Sequence, residues 1–157
     1  MSRLRTAARH CTATLQVLGA DRAGVVFNKK YDRIPLTLRE TYGLDRDVAR
    51  HLARNYGTRA LQVATIASSD AALSARLVRR YPTIAAEVVF AVEQEAALTA
   101  VDVLARRTRL AYMDAAAANE ALPVVVELMS KPLKWSAARK KEEVERTRAF
   151  LSTMNAH

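Results

Sequence analysis

Ile84-Ala85-Ala86-Glu87-Val88-Val89-Phe90-Ala91-Val92-Glu93-Gln94-Glu95-Ala96-Ala97-Leu98 is apolar on nearly every helical face. That is the pattern of a helix surrounded by other helices. Tyr81-Pro82 precedes it, and proline is tolerated in a first helical turn, where its missing N–H costs nothing. Glu87 breaks the pattern. A buried carboxylate requires a partner, and Arg106 or Arg107 is the expected one.

Outward from this helix, the flanking segments also read as helical. Thr99-Ala100-Val101-Asp102 is a compact capping signal: Thr99 caps forward, and Asp102 reaches back to the Thr99 amide. A short helix follows through Val103 and Leu104 into Arg106-Arg107-Thr108-Arg109-Leu110. Asp114 caps the next, with Leu122, Val125, Val126 and Met129 as its inner face; Pro123 implies a kink or a fresh start within it. Lys131-Pro132 closes that helix. Ser136 then caps a long one to about Met154, with Val144, Leu151 and Met154 inward and Glu142 spaced to support Arg146.

On the upstream side, Asp45 is placed to cap a helix ended by Gly57, with Val48, Leu52 and Tyr56 as a buried stripe beside Ala49 and Ala53. Arg46, Arg50 and Arg54 recur on the opposite side as a like-charge row that must face water or an acidic partner. Thr58 can cap a following helix to about Ala67. Ser69 to Arg80 reads as a short helix or turn, and Leu36 to Tyr42 as a short helix stopped by Gly43. Before Pro35 the signals are irregular. The expected organisation is an irregular lead-in over 1–35 and a helical domain over 36–157. The fold class is all-α, a compact bundle of about five to seven helices.

Composition agrees. The chain of 157 residues is half hydrophobic but only 6% aromatic, with much of the apolar content in alanine, the strongest helix former. No glycine lies between Thr58 and His157, whereas all-β folds need glycine-bearing turns and a dinucleotide fold needs a glycine cluster. No apolar run approaches the roughly 20 residues of a spanning helix. The formal charge is +9, from 25 Lys and Arg against 16 Asp and Glu. Spread along the chain, it is explained by solvated helix faces. Met1 to Ala20 carries Arg3, Arg5 and Arg9 and no acid, which fits either a mitochondrial presequence or an interdomain segment.

Chemical constellations are sparse. His10, His51 and His157 have no metal-ligand spacing, and His51 reads as a helix-surface residue. Cys11 has no partner for a disulfide and no built environment for nucleophilic catalysis. Glu93, Glu95 and Asp102 read as surface or cap residues, and Glu87 as structurally paired. Arg106, Arg107 and Arg109 can grip phosphate, since guanidinium pairs bidentately with its oxygens, or can clamp helix ends and carboxylates. No aromatic platform is interleaved with them, which weighs against single-stranded nucleic acid.

Ala86 to Val92, then Glu95, then Val101-Asp102-Val103-Leu104-Ala105-Arg106-Arg107-Thr108-Arg109-Leu110-Ala111-Tyr112 resembles the C-terminal domain of FAD-dependent glycerol-3-phosphate dehydrogenases. Tyr56-Gly57-Thr58-Arg59-Ala60, Leu122-Pro123, Leu128-Met129, Lys134-Trp135-Ser136 and Phe150-Leu151 follow that family's order. Cys11-Thr12 and Leu18 to Asp21 look like its lead-in from the flavin domain. Glu93, Tyr112 and Pro132 depart from the family's usual residues.

The resemblance implies an accessory helical domain, a fragment or a separately encoded piece, with no catalytic, cofactor or metal residues of its own. Glu87, Asp102, Arg106, Arg107 and Arg109 are its structural or interface candidates. FAD would belong to the parent enzyme, which oxidises glycerol 3-phosphate to dihydroxyacetone phosphate and passes electrons to quinone. The expected partner is the FAD-binding catalytic domain, with membrane association only through it. The expected location is the mitochondrial inner membrane in a eukaryote or the cytoplasmic membrane in a bacterium. On this view the basic opening is an interdomain lead-in. The alternative is a basic helical module binding nucleic acid or anionic lipid, which steep weakening by salt would reveal.

Overall fold

The computed structural model describes residues 33–154. Residues 1–32, most of the expected lead-in and including Cys11 and His10, and residues 155–157, including His157, lie outside the described residues. The chain runs through α1 (Ile34–Tyr42), α2 (Arg46–Tyr56), a 3-10 turn (Gly57–Arg59), α3 (Ala60–Ser69), α4 (Ala71–Ser74) and α5 (Ala85–Glu95). A π-helical turn (Asp102–Arg107), α6 (Leu110–Met113), α7 (Ala115–Ser130) and α8 (Ala137–Ser152) follow. The fold is all-α, as the sequence implies. No strand occurs among the described residues; Arg76 and Ile84 form an isolated antiparallel bridge.

α5 is the axis, because it belongs to two cores. Ile84, Ala86 and Phe90 pack with Leu38, Val48, Leu52 and Val63 from α1 to α3. Ala85, Val88 and Ala91 face the other way, onto Leu104, Leu110, Leu122, Val125 and Met129. Completely burying a leucine such as Leu52 stabilises by roughly 1.5–3 kcal/mol relative to leaving it exposed. The α2 stripe of Val48, Leu52 and Tyr56 with Ala49 and Ala53 is buried as its spacing predicts.

Several local expectations change. α1 begins at Ile34, inside the expected lead-in, with Pro35 in its first turn and Gly43 at φ 65° ending it. Asp45 makes no cap bond; its carboxylate accepts from Arg76 at 2.8 Å, while Arg76 also grips Asp47 at 2.7 Å. The hydrogen bond from Arg76 lowers the Asp47 carboxyl to about 2. This fork ties the start of α2 to the loop before α5. α7 runs unbroken through Pro123, whose ring is on the exposed side while Leu122, Val125, Val126 and Met129 are buried. Those contacts hold the helix despite a proline penalty of about 3 kcal/mol.

α8 turns a different face inward from the one its apolar residues suggest. Glu143, Thr147 and Leu151 are its buried residues, while Val144 and Met154 are half-buried. Arg139 pairs with Glu142 at 2.9 Å and Glu143 at 2.7 Å.

Candidate functional site

Glu87 sits in the first turn of α5, and its side chain is wholly buried. One oxygen, Oε1, accepts the Ile84 amide at 2.9 Å, closing the helix N-terminus. The other, Oε2, accepts the Tyr56 hydroxyl at 2.9 Å. His51 Nε2 lies 3.1 and 3.0 Å from the two oxygens. Asn55 Nδ2 reaches His51 Nδ1 at 3.2 Å; an amide N–H donates there, which leaves the Nε2–H to point at Glu87. Burial first, then the Glu87 charge, holds the Tyr56 phenol far above its ordinary range. Tyr56 therefore keeps its proton and donates it.

The expected partners of Glu87 are thus corrected. Arg106 pairs with Asp102, one turn back on its own segment. Arg107 reaches Glu95 at 3.4 Å and donates to the Glu95 carbonyl at 2.9 Å. Glu95 lies at the far end of α5, about 12 Å from Glu87 by helix rise, so Arg107 meets Glu95, Arg106 meets Asp102, and neither pairs with Glu87. His51 is likewise no surface residue, its side chain being 12% exposed. The available signal was that Tyr56 belongs to the buried stripe of α2 and His51 adjoins it, whereas a search for charge partners selects only arginines. Glu95 is half-buried rather than superficial: Arg59 also contacts it, at 3.3 Å, with its guanidinium 4.6 Å above the Phe90 ring. Glu93 is exposed.

The Thr99–Asp102 cap forms as its spacing predicts. The Thr99 amide donates to Asp102 at 2.9 Å, and the Asp102 amide donates to the Thr99 hydroxyl at 3.1 Å. Burial works against the Asp102 charge, but the Thr99 hydroxyl, Arg106 and two amides prevail and lower its pKa. Beside this cap stands Glu143, fully buried, accepting the Ala100 amide at 2.8 Å. Nothing in the sequence marks Glu143, because it lies among charged residues that read as a solvent face.

The chain then winds into the π-turn, closed by Thr108, whose amide and hydroxyl both donate to the Val103 carbonyl at 2.9 Å. Arg109 follows at φ 58°, a left-handed conformation that side chains rarely adopt. Between α2 and this turn lies a cleft of about 660 Å³, whose lining includes His51, Arg54, Arg107 and Arg109. The exposed row of Arg46, Arg50 and Arg54 contributes its last two members to that cleft.

Residues 10–140 match the C-terminal domain of alpha-glycerophosphate oxidase. The chain belongs to this family. It is 47% identical over 119 residues to the mitochondrial glycerol-3-phosphate dehydrogenase of Mus musculus, covering 74% of this chain and 16% of that protein. It is 41% identical over 128 residues to a probable mitochondrial glycerol-3-phosphate dehydrogenase of Dictyostelium discoideum, covering 82% and 20%. Against a mitochondrial glycerol-3-phosphate dehydrogenase of Arabidopsis thaliana the identity is 37% over 126 residues, covering 76% and 20%. The chain therefore spans a fifth or less of the length of these relatives. No solved structure matches.

Within this alpha-glycerophosphate oxidase C-terminal domain, the run Asp102–Leu110 that carries the family resemblance builds the cap, the π-turn and the left-handed Arg109. The described residues contain no strand–glycine turn–helix cradle of the kind that holds a dinucleotide's phosphates.

Proposed function

We propose that this chain serves as the helical C-terminal domain of an FAD-dependent glycerol-3-phosphate dehydrogenase and packs against its flavin-bearing catalytic domain. The parent enzyme oxidises glycerol 3-phosphate to dihydroxyacetone phosphate and delivers electrons to quinone; FAD and substrate are held outside this domain. What carries the reading is the match over 10–140 to this C-terminal domain, together with 37–47% identity over aligned stretches that make up only 16–20% of the dehydrogenases matched. The domain reaches a membrane only through the parent, at the mitochondrial inner membrane in a eukaryote or the cytoplasmic membrane in a bacterium. Support for the former is that these relatives carry mitochondrial names.

In this role Glu87, Asp102, Arg106 and Arg107 are structural. Glu87 and Asp102 satisfy helix starts, and the two arginines brace the π-turn against Asp102 and Glu95. The purified chain, supplied with FAD, glycerol 3-phosphate and an artificial electron acceptor, is expected to show no flavin absorption and no turnover. Bound flavin with turnover would overturn the reading.

A further inference from the structure

The packing role leaves the cleft beside the Glu87 network without a purpose. Its volume of about 660 Å³ falls within the range of small-ligand sites, about 300–1,000 Å³. Five arginines line it: Arg50, Arg54, Arg106, Arg107 and Arg109. The two acids in its wall are already engaged, Asp47 by Arg76 and Glu95 by Arg59 and Arg107. Arg106 is engaged by Asp102. Arg50, Arg54 and Arg109 have no side-chain hydrogen bond or ion pair among the described residues.

These three guanidinium groups come from two separate parts of the chain. Arg50 and Arg54 stand one turn apart on α2, and Arg109 follows the π-turn. The tertiary fold therefore brings Arg109 into the same cleft as two members of the α2 charge row. Arg109 reaches the cleft from a left-handed backbone at φ 58°, and π-turns themselves are frequent at functional sites. Uncompensated like charges gathered in a concavity repel one another and draw in anions. Three fork-shaped donors suit the three terminal oxygens of a phosphate group better than the two of a carboxylate.

We propose that this cleft is a phosphate-group site, taking a phosphate monoester or pyrophosphate between Arg50, Arg54 and Arg109. The site lies wholly within this chain, so its failure would leave the packing reading intact.

The test is a titration of the full chain with inorganic pyrophosphate at fixed ionic strength, read by calorimetry and by thermal melting. Saturable binding with a raised melting temperature is expected. Arg54→Ala and Arg109→Ala should each weaken it about tenfold or more, the scale of one charge-assisted hydrogen-bonding group. Both residues are exposed and unpaired, so the unliganded melts should match the parent. Arg39→Ala and Arg146→Ala, exposed arginines outside the cleft, should bind as the parent does.

Vesicles containing phosphatidic acid separate the sources of the group. Recruitment lost in the two cleft variants assigns a lipid headgroup, and pyrophosphate binding without recruitment assigns a free phosphate compound. No saturable binding of either probe, or equal weakening by Arg39→Ala and Arg109→Ala, would reduce the effect to general attraction by a basic surface and overturn the proposal.

Discussion

The two buried glutamates solve one problem in opposite ways. Glu87, at the boundary of the two cores, accepts from a tyrosine, a histidine and the amide that opens its own helix. Glu143, under the π-turn, accepts from an amide of another segment and from Arg139, one turn before it. A phenol and an imidazole can each donate or accept, whereas a guanidinium only donates. The N-terminal arrangement can thus reverse its polarity, and the C-terminal one cannot.

The largest effects should come from deleting either carboxylate. Glu87→Ala and Glu143→Ala should each cost several kcal/mol, since each strands buried donors at about 1–3 kcal/mol apiece. Thermal melts coinciding with the parent would show that the network contributes nothing. The amides sharpen the contrast. Glu87→Gln should cost about 1 kcal/mol, because Tyr56 and His51 can turn to accept from the new NH2. Glu143→Gln should cost more, about 2–3 kcal/mol, because Arg139 offers its NH2 no acceptor. Urea denaturation with the two in reverse order would sink the argument.

The cap at Thr99 gives a smaller, pH-dependent effect. Asp102 titrates lower in the folded chain than in the unfolded one, so its stabilisation is complete above the unfolded value, about 4. It fades as pH falls through the folded value. Asp102→Asn should therefore melt below the parent at pH 7 by about 1 kcal/mol, and the gap should close in acid. A gap constant from pH 7 to 2 would contradict this. Smallest is Ala96→Gly, at the exposed left-handed residue ending α5. Relief of the Cβ penalty of roughly 1–2 kcal/mol outweighs the added flexibility of glycine, so a rise of under about 1 kcal/mol is expected. A lower melting temperature would reverse that sign.

Much of the fold was legible because it follows apolar spacing and end signals. The α2 stripe, the inner face of α7 and the caps at Asp114 and Ser136 all form as their residues imply. What the sequence hid was partner choice. Glu87 announces that it needs donors, but finding Tyr56 and His51 requires knowing how α2 crosses α5. Glu143 announces nothing, since a carboxylate amid Lys140, Lys141 and Glu142 reads as solvated. The π-turn was equally hidden: its residues suit an α-helix, and only the Thr108 bonds to Val103 reveal the wider winding.

The stops at Ala96, Arg109 and Lys134 are all made without glycine, at φ 53°, 58° and 52°, in a stretch that contains none after Gly57. Residues carrying a Cβ explore fewer conformations when the chain is unfolded. The denatured ensemble of this half is correspondingly narrower, and less disorder is surrendered on folding. Part of the domain's stability thus lies in freedom its unfolded chain never had, where no inventory of native contacts would find it.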